Sequence, residues 1–200
     1  MLRQKDIAIL ISVWLLSLGA GFHALMVYKG QPGFARRTPE TWPTNELISP
    51  ATNKPQLVMF AHPRCPCTKA SLGELARLMA KANSQFQATV LFYQPGNRSG
   101  EWSRTELTKE ARAIPGVRVL FDLEGKLTRR FGAETSGHTV VYDCDGKLLF
   151  SGGITGSRGH LGDNAGFDAV LKLVRKESGP GEPRTTSVFG CGIFDQCTRN

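Results

Sequence analysis

The stretch His62-Pro-Arg-Cys-Pro-Cys-Thr-Lys-Ala-Ser-Leu-Gly-Glu-Leu75 carries two cysteines, Cys65 and Cys67, with one residue between them. It follows a short apolar run, Gln56-Leu-Val-Met-Phe-Ala61, whose length is typical of a buried strand. The pattern predicts that a strand delivers both sulfurs to the beginning of a helix. Beyond the cysteines, apolar residues recur at helical spacing, at Leu72, Leu75, Ala76, Leu78 and Met79.

Pro66 determines how the two cysteines meet this helix. Proline suits the first helical position, because its missing N–H would have no partner there and its φ is already helical. This predicts Cys65 at the N-cap and Cys67 in the first turn. The partial positive charge of a helix N-terminus, together with Arg64 and Lys69, favours a thiolate at Cys65. A reactive or metal-binding pair therefore fits better than two buried cysteines packed as small hydrophobes.

The composition is that of a folded protein of ordinary size. Its 200 residues are 40% hydrophobic and 21% charged, which leaves room for one domain plus attachments. The formal net charge of +8 is spread along the chain, so we expect no nucleic-acid partner; contact with anionic lipid or an acidic partner fits better. The cysteine count is odd, so at least one cysteine is free, binds a metal or pairs with another molecule. The cysteines are Cys65, Cys67, Cys144, Cys191 and Cys197.

The segment from Ile7 to Tyr28 contains no charged residue if His23 is neutral. A helix of this length spans about 33 Å, against about 30 Å for the hydrocarbon core of a bilayer. A cleavable signal peptide is the alternative, but apolar residues continue past Gly19-Ala-Gly21, which favours an uncleaved single-pass anchor. Basic residues flank both ends, so the orientation is inferred from the cysteines, because thiol chemistry on anchored domains is commonest outside the cytoplasm. We expect an inner (plasma) membrane protein whose soluble domain faces the periplasm or the cell exterior.

The chain divides by composition into four parts. The second is rich in proline and reads as an extended tether, and the fourth begins with a glycine- and proline-rich stretch. The parts are a cytoplasmic stub and transmembrane anchor (1–28), a linker (29–54), a globular domain (55–178) and a flexible, cysteine-containing tail (179–200).

Two segments outside the globular domain carry apolar residues. Docking of Trp42 and Leu47 in the linker onto the domain stays open. In the tail, the apolar patch from Val188 to Phe194 is unusual for a disordered segment and could dock at the cysteine end of the domain. We predict that Cys191 and Cys197 form a disulfide with each other or exchange with the Cys-Pro-Cys pair; closing their loop of about seven residues is entropically cheap.

Within the globular part, strand-like runs alternate with helical patterns and turn signals. The order ends in a hairpin and indicates a mixed α/β sheet flanked by helices. A glycine-rich loop at 152–166 is long for a structural turn, which indicates a functional role. The predicted strands are 57–61, 88–93, 117–121, 138–142 and 147–150, and the predicted helices are 66–82, 103–113, 126–131 and 167–176.

Four short motifs carry a family resemblance over about residues 56–176. Their order, with a cysteine pair between the first strand and its helix, resembles the thioredoxin superfamily, in particular its membrane-anchored TlpA and ResA type and, more narrowly, the RedB-like proteins. The resemblance implies a thioredoxin-like fold. The motifs are His62-Pro-x-Cys-Pro-Cys-Thr68, Ser136-Gly-His138, Gly152-Gly-Ile-Thr155 and Ser157-Arg-Gly-His160.

The thioredoxin topology implies where the histidines lie. The strand after His138 would run antiparallel to the cysteine-bearing strand, which places His62, His138 and His160 at the cysteine end of the sheet. His138 stands where thioredoxins usually have a cis-proline. A surface or hydrogen-bonded core histidine is the alternative for each, but their convergence favours a supporting role for His138 and His160.

The glycine-rich loop adds two charged candidates to the same end of the sheet. Arg158 could hold a thiolate and Asp163 could orient an imidazole, and an Arg–Asp pair that only fixes the loop is equally consistent with the sequence. Cys144 would lie at the opposite end of the sheet, so we do not expect it to be catalytic.

The favoured hypothesis is a thiol-disulfide oxidoreductase. Cys65 attacks as a thiolate, a mixed disulfide forms, and Cys67 resolves it. Arg64 and His62 would support the pair, the substrate would be a thiol or disulfide protein, and a membrane protein could donate the electrons. The catalytic hypothesis needs no cofactor.

A copper carrier is the alternative. Cys65 and Cys67 with His138 or His160 would form a soft site suited to Cu(I), as in Sco-type copper carriers that share the fold. Peroxide reduction at Cys65 is a third hypothesis, which the missing Pro-x-x-x-Thr-x-x-Cys pattern disfavours.

Overall fold

The computed structural model describes residues 3–43, 48–50, 53–82, 85–179 and 184–194. The chain separates into two compact units, Met1–Gln31 and Pro32–Asn200. In the first unit, helix α1 (Gln4–Gly30) has an 18-residue window with a mean hydropathy of 1.9. By length and composition, α1 can cross a membrane.

The second unit contains a five-stranded mixed sheet. The strand order is β3-β2-β1-β4-β5; β1, β2 and β3 are parallel, whereas β4 runs antiparallel to β1 and pairs with β5 as a hairpin. The predicted α/β architecture is therefore confirmed, and His138 begins β4 opposite Phe60 of β1. The elements are β1 (Gln56–Ala61), α2 (Thr68–Ala82), β2 (Gln87–Gln94), a 3-10 turn (Gly100–Ser103), α3 (Glu106–Ala113), β3 (Val117–Leu123), α4 (Lys126–Arg130), β4 (His138–Tyr142), β5 (Leu148–Gly153) and α5 (Ala165–Val174).

Strand β1 is buried along its whole length because a hydrophobic core lies on each face of the sheet. Leu57 and Met59 face one core, which also contains the apolar sides of α2 and α5. Val58 and Phe60 face the other, which α4 and the loop after it cover. The side chains on both faces of β1 are apolar, so β1 can occupy a central position in the sheet. A central, buried strand holds the cysteines that follow it in a fixed place.

The segment 32–43, here called the N-terminal segment, packs on the globular domain. Trp42 makes edge-to-face contacts with Phe131 and Tyr142, each at 5.2 Å between ring centroids. The Trp42 N–H donates to the Gly146 carbonyl at 2.7 Å, and the Tyr142 hydroxyl donates to the Pro39 carbonyl at 2.8 Å. The prediction of an extended tether is wrong for these residues, because aromatic burial and backbone hydrogen bonds outweigh the cost of ordering them. Leu47 lies outside the described residues.

The segment 184–194, here called the tail segment, is also docked. Its beginning pairs with the edge strand β5: the Ser151 N–H donates to the Arg184 carbonyl at 3.0 Å, and the Thr186 hydroxyl donates to the Gly153 carbonyl at 2.7 Å. Val188 and Ile193 are buried further along. The prediction of a flexible tail is therefore corrected for residues 184–194, while the expectation that the apolar patch docks is met. Cys197 lies outside the described residues.

The glycines at the end of β5 explain how the tail segment comes so close. A Cβ on Gly152 would lie 2.3 Å from the Thr186 hydroxyl oxygen, and one on Gly153 would lie 2.6 Å from the Ser187 carbonyl oxygen. Both distances are shorter than side-chain atoms tolerate. The Gly-Gly pair of the Gly152-Gly-Ile-Thr155 motif is therefore needed for tail docking.

Candidate active site

The turn between β1 and α2 contains the Cys65-Pro-Cys67 pair. Regular helix begins at Thr68, two residues later than predicted, after a turn in which the Thr68 N–H donates to the Cys65 carbonyl at 3.0 Å. The Ala70 N–H donates to the Cys67 carbonyl at 3.2 Å. The fixed φ of Pro66 and these bonds hold both cysteines in the turn that leads into the helix. The prediction of Cys65 at the N-cap and Cys67 in the first helical turn is corrected, because the first bonds are of the 3-10 type and both cysteines precede α2.

A third cysteine joins them. The Sγ atoms of Cys65 and Cys191 lie 2.8 Å apart and share a hydrogen bond, and the Sγ atoms of Cys65, Cys67 and Cys191 all lie within 4.8 Å of one another. Cys65 is only 2% exposed, whereas the other two cysteines are half-buried. These three residues are called the three-cysteine cluster below. The tail segment supplies one member of it and the turn after β1 supplies the other two, so the cluster is built from two distant parts of the chain.

The environment of Cys65 favours its thiolate. The hydrogen bond with Cys191 is the largest influence and lowers the pKa of Cys65 to about 5; burial opposes it. Backbone N–H groups of Cys191, Cys67 and Thr68 lower the pKa further. Because an ionised sulfur only accepts hydrogen bonds, Cys191 keeps its proton when Cys65 loses one. The lowered pKa favours a thiolate at Cys65 at neutral pH, and its largest cause is Cys191, which the prediction from the helix N-terminus did not include.

The other two thiols are harder to ionise. Burial and the negative charge of Cys65 raise the pKa of Cys67, and the hydrogen bond with Cys65, together with burial, raises the pKa of Cys191. The positive charge of Arg158 acts against both increases. The three-cysteine cluster thus carries one thiolate and two protonated thiols at neutral pH, which is the proton distribution that a single nucleophile requires.

The basic side chains predicted to stabilise the thiolate have other partners. The Arg64 guanidinium lies over the Trp102 ring, 4.8 Å from the ring centroid, and donates to the Trp102 carbonyl at 3.3 Å. Lys69 forms an ion pair with Glu110 at 3.5 Å. The largest causes of the lowered pKa of Cys65 are the hydrogen bond with Cys191 and the backbone N–H groups, and neither basic side chain is among them. The cation–π contact positions Arg64 because a guanidinium stacks well on an indole ring.

His62 organises the loop before the cysteines. Its ring stacks on Tyr93 at 6.1 Å and meets Trp102 edge-on at 5.6 Å between ring centroids. Its Nδ1 accepts from the Arg64 N–H at 3.1 Å, and its backbone N–H donates to the Ser136 hydroxyl at 2.9 Å. The structure therefore brings His62 to the site as a support for the loop.

Ser136 ties the loop before β4 to the cysteine turn. Its hydroxyl shares a hydrogen bond of 2.8 Å with the Thr68 hydroxyl, and its backbone N–H donates to the Cys191 carbonyl at 2.8 Å. One residue thus contacts the segments that carry Cys65, Cys67 and Cys191. In the sequence, Ser136 was noted only as part of the motif Ser136-Gly-His138. Nothing in the residues around Thr68 predicted the hydrogen bond between the two hydroxyls.

His138 lies on the other face of the sheet. Its Nε2 shares a hydrogen bond of 2.9 Å with the Ser151 hydroxyl, and its ring meets that of Phe60 at 6.3 Å. Burial lowers the pKa of His138 to about 4, so the imidazole is neutral at physiological pH. No histidine belongs to the cluster of candidate metal ligands that the described part of the chain contains. His138 lies at the cysteine end of the sheet, as the topology implied, but alternation along β4 turns its side chain toward the second core, where it contacts Ser151 and Phe60.

The glycine-rich loop after β5 contributes Arg158 rather than His160. Arg158 donates to the Gly190 carbonyl, next to Cys191 in the chain, and its charge reaches Cys67 and Cys191. His160 is exposed and is not one of the clustered ligands among the described residues. Asp163 pairs with Arg77 at 3.4 Å, so the predicted contact of Asp163 with an imidazole or with Arg158 is replaced by one with α2.

A buried carboxylate fixes this loop. Glu74 is fully buried on α2, where it forms an ion pair with Arg77 at 2.8 Å and accepts from the Gly162 N–H at 2.6 Å. Glu74 was not among the predicted site residues, since it stands in a helical pattern as an ordinary polar residue. A charge at a position between apolar helix neighbours was the one available signal. Through Glu74 the loop that carries Arg158 is joined to the helix that begins at the cysteines.

Cys144 is exposed in the turn between β4 and β5. That turn lies at the end of β4 opposite His138, and so away from the cysteine turn. The predicted position of Cys144 at the opposite end of the sheet is therefore confirmed.

An apolar groove of about 490 Å³ runs beside the cysteine turn. Its lining combines one side of α2 with the glycine-rich loop and the end of α3. The lining includes Pro66, Leu72, Ala76, Ile114 and Leu161.

No family model and no curated protein matches the chain. Among solved structures, a hypothetical protein from Sinorhizobium meliloti is similar with a TM-score of 0.60 and 17% identity, over 80% of this chain and 96% of that chain. An uncharacterized conserved protein from Geobacillus kaustophilus has a TM-score of 0.57 and 18% identity, over 85% and 92% of the two chains. A secreted disulfide oxidoreductase of Mycobacterium tuberculosis, homologous to DsbE of E. coli, has a TM-score of 0.44 and 18% identity, over 62% and 81%.

At these identities the similarities concern the fold alone. The strand order, with β4 antiparallel to β1 and the cysteine turn directly after β1, is that of a thioredoxin-like fold. The fold that the sequence motifs implied is therefore confirmed, and the function has to be argued from the site.

Proposed function

We propose that the protein is a membrane-anchored thiol-disulfide oxidoreductase whose nucleophile is Cys65. The observation that carries this proposal is a low-pKa cysteine at the end of a central strand with two further thiols within 4.8 Å. A thiolate is the attacking species in disulfide exchange, and a neighbouring thiol is needed to release the product. The Cys65–Cys67 pair predicted from the sequence supplies the minimal version of this chemistry.

The substrate class follows from the reaction. Cys65 attacks a disulfide of a protein substrate, one sulfur of that disulfide leaves as a thiolate, and a second thiol of the site then displaces the other sulfur. The apolar groove beside Pro66 offers a surface for apolar side chains that flank the substrate disulfide. A dithiol partner, such as a membrane electron donor, would return the protein to its reduced form.

The proposed location is the plasma membrane, with α1 as a single-pass anchor and the globular unit on the outer side. The length and hydropathy of α1 support the anchor, and the use of reactive cysteines supports the oxidising side. Cys144 is the suitable reporter, because it is exposed while Cys65 is buried. A membrane-impermeant thiol reagent should label Cys144 in intact cells, with Cys144→Ser as the control. Labelling only after the membrane is breached would indicate that the globular unit faces the cytoplasm.

Catalysis is tested by the reduction of insulin disulfides with dithiothreitol, using the full-length protein in detergent and in the presence of a metal chelator. We expect acceleration by the unmodified protein, loss of acceleration in Cys65→Ser, and no change in Cys144→Ser. Equal rates with the unmodified protein and with Cys65→Ser would contradict the proposed activity.

A second candidate is binding of Cu(I) by the three-cysteine cluster. Three thiols within 4.8 Å are a soft donor set that suits Cu(I), and this set replaces the Cys and His ligands expected from the sequence. The raised pKa values of Cys67 and Cys191 mean that binding must release their protons, so affinity should increase with pH.

The copper candidate has its own test. Cu(I) binding is measured anaerobically against a competing chelator in the full-length reduced protein. One equivalent bound by the unmodified protein and by His138→Ala, but lost in Cys191→Ser, would support it. Weak binding that is the same in all three proteins would reject it.

A further inference from the structure

The tail segment lies across the cysteine turn in an extended conformation with its backbone paired. Gly192 forms an antiparallel bridge with Thr135, next to the start of β4. The Ser136 N–H donates to the Cys191 carbonyl, and the Ile193 N–H donates to the Glu134 carbonyl, both at 2.8 Å. This backbone pairing with the loop before β4 places the Cys191 side chain beside Cys65.

Two further contacts hold Cys191 in place. Arg158 donates to the Gly190 carbonyl. Gly190 packs so closely that a Cβ there would lie 2.0 Å from the Ser136 carbonyl oxygen. The Cys191 sulfur lies 2.8 Å from that of Cys65. The contacts of Gly190, Cys191 and Ile193 with the domain fix this position.

We propose that Cys191 is the resolving cysteine of this site, so that the oxidised protein contains a Cys65–Cys191 disulfide. This inference rests on the proposed function and names the thiol that completes it. The 2.8 Å between the two sulfurs exceeds the length of a disulfide bond, about 2.0 Å, by about 0.8 Å. Closing that gap requires the two sulfurs to approach each other by about 0.8 Å in total.

Cys67 is less suited to the same step. A bond between Cys65 and Cys67 closes a small ring through Pro66, whose φ is fixed, and such rings are strained. The Thr68 N–H bond to the Cys65 carbonyl and the Ala70 N–H bond to the Cys67 carbonyl also hold the two backbones in the turn. Forming that ring disturbs the beginning of α2, whereas a Cys65–Cys191 bond leaves α2 intact.

The reaction balances with two thiols of the protein and one substrate disulfide. The Cys65 thiolate attacks one sulfur of the substrate disulfide; that S–S bond breaks, a Cys65–substrate disulfide forms, and the first substrate thiolate leaves and takes up a proton. Cys191 gives up its proton and attacks the Cys65 sulfur, which forms the Cys65–Cys191 bond and releases the second substrate thiolate. The substrate gains two electrons and the protein loses two. An external dithiol reverses the change in the protein.

The tail segment also controls access, because Cys65 is 2% exposed while Cys191 lies beside it. A substrate disulfide reaches Cys65 when residues 190–192 move aside. Their return brings the Cys191 sulfur back to Cys65 at the moment when the mixed disulfide must be resolved.

The experiment oxidises the reduced, metal-free, full-length protein in detergent with glutathione disulfide. The reaction is quenched with acid, free thiols are alkylated, and disulfide-linked peptides are identified by mass spectrometry. The unmodified protein should give a Cys65–Cys191 peptide with Cys67 alkylated. Cys191→Ser should lose that peptide and accumulate glutathione on Cys65, whereas Cys67→Ser and the control Cys197→Ser should still form it.

The alternatives are separated by the same data. A Cys65–Cys67 peptide in the unmodified protein, with glutathione trapped on Cys65 only in Cys67→Ser, would overturn the role of Cys191 and leave the proposed function standing. A Cys191–Cys197 disulfide in the unmodified protein would also overturn it. No disulfide or adduct at Cys65 in any protein would reject the proposed function itself. The map of the unmodified protein needs no variant, so it decides even if Cys191→Ser fails to fold.

Discussion

Gly190 of the tail segment lies directly against Ser136 of the loop before β4: a Cβ added to Gly190 would come within 2.0 Å of the Ser136 carbonyl oxygen. A residue with a side chain at position 190 would therefore collide with the backbone of Ser136. It lies one residue from Cys191, so the packing at Gly190 decides whether the third sulfur reaches the cluster.

Gly190→Ala should therefore undock the tail segment without removing a thiol. Overpacking of this kind costs about 1–3 kcal/mol, which lowers the equilibrium constant for docking by roughly 5- to 150-fold. We expect less Cys65–Cys191 disulfide on oxidation and a higher pKa of Cys65. Peptide mapping and a thiolate titration measure the two effects. Gly179→Ala is the matched control, since a Cβ there meets nothing within 4 Å; equal behaviour of the two variants would contradict the packing argument.

His138→Ala should reduce stability and leave the sulfur chemistry unchanged. The substitution removes the hydrogen bond to Ser151 and leaves space beside Phe60, a loss of about 1–3 kcal/mol in the free energy of unfolding. The pKa of Cys65 should stay near 5, because His138 is not among its causes. Denaturant unfolding and thiol titration check both, with the exposed His160→Ala as the control. A loss of thiol reactivity without a loss of stability would contradict this prediction and indicate that His138 takes part in the sulfur chemistry.

Trp42→Ala tests whether the N-terminal segment is part of the folded domain. Loss of the contacts with Phe131 and Tyr142 should lower the free energy of unfolding by about 3 kcal/mol. Phe34→Ala, in the same segment but with a side chain that is 70% exposed, should change it by less than about 0.5 kcal/mol. Similar small effects of both substitutions in a denaturant melt would mean that the segment is a tether after all.

The sequence predicted the sheet well because its signals are local. The apolar run at β1, the runs at β2 to β4 and the Asp-Cys-Asp-Gly146 hairpin turn each carry their own periodicity or turn chemistry, and their order defines the topology. Pro66 likewise locates the cysteine turn to within two residues of the helix start.

The completed site was not predictable in the same way. Cys65 and Cys191 are 126 residues apart, and the docking that joins them depends on glycines whose role appears only when two backbones approach. The side-chain direction of His138 depends on the register of β4, which the position of its strand alone does not give. The proline- and glycine-rich composition predicted that the linker and the tail are solvent-exposed. Long-range packing of Trp42 and of the tail segment docks residues 32–43 and 184–194 on the domain instead.

The ionisation of Cys65 also affects the stability of the reduced protein. Its pKa is about 5 in the folded protein and near the usual 9.0 when unfolded. A lowered folded-state pKa contributes stability that is fully present above about pH 9 and is lost as the pH falls toward about 5. The free energy of unfolding of the reduced protein should thus rise with pH in this window, and this part of the rise should be missing in Cys65→Ser.

The most direct measurement is the ultraviolet thiolate titration of the reduced full-length protein, with Cys65→Ser subtracted and Cys191→Ser compared. If the hydrogen bond from Cys191 stabilises the Cys65 thiolate, the difference signal should show one thiolate that titrates with a midpoint near pH 5. In Cys191→Ser the midpoint should shift toward 9.0. A midpoint close to 9.0 in the unmodified protein, or the same low midpoint with and without the Cys191 sulfur, would contradict the account.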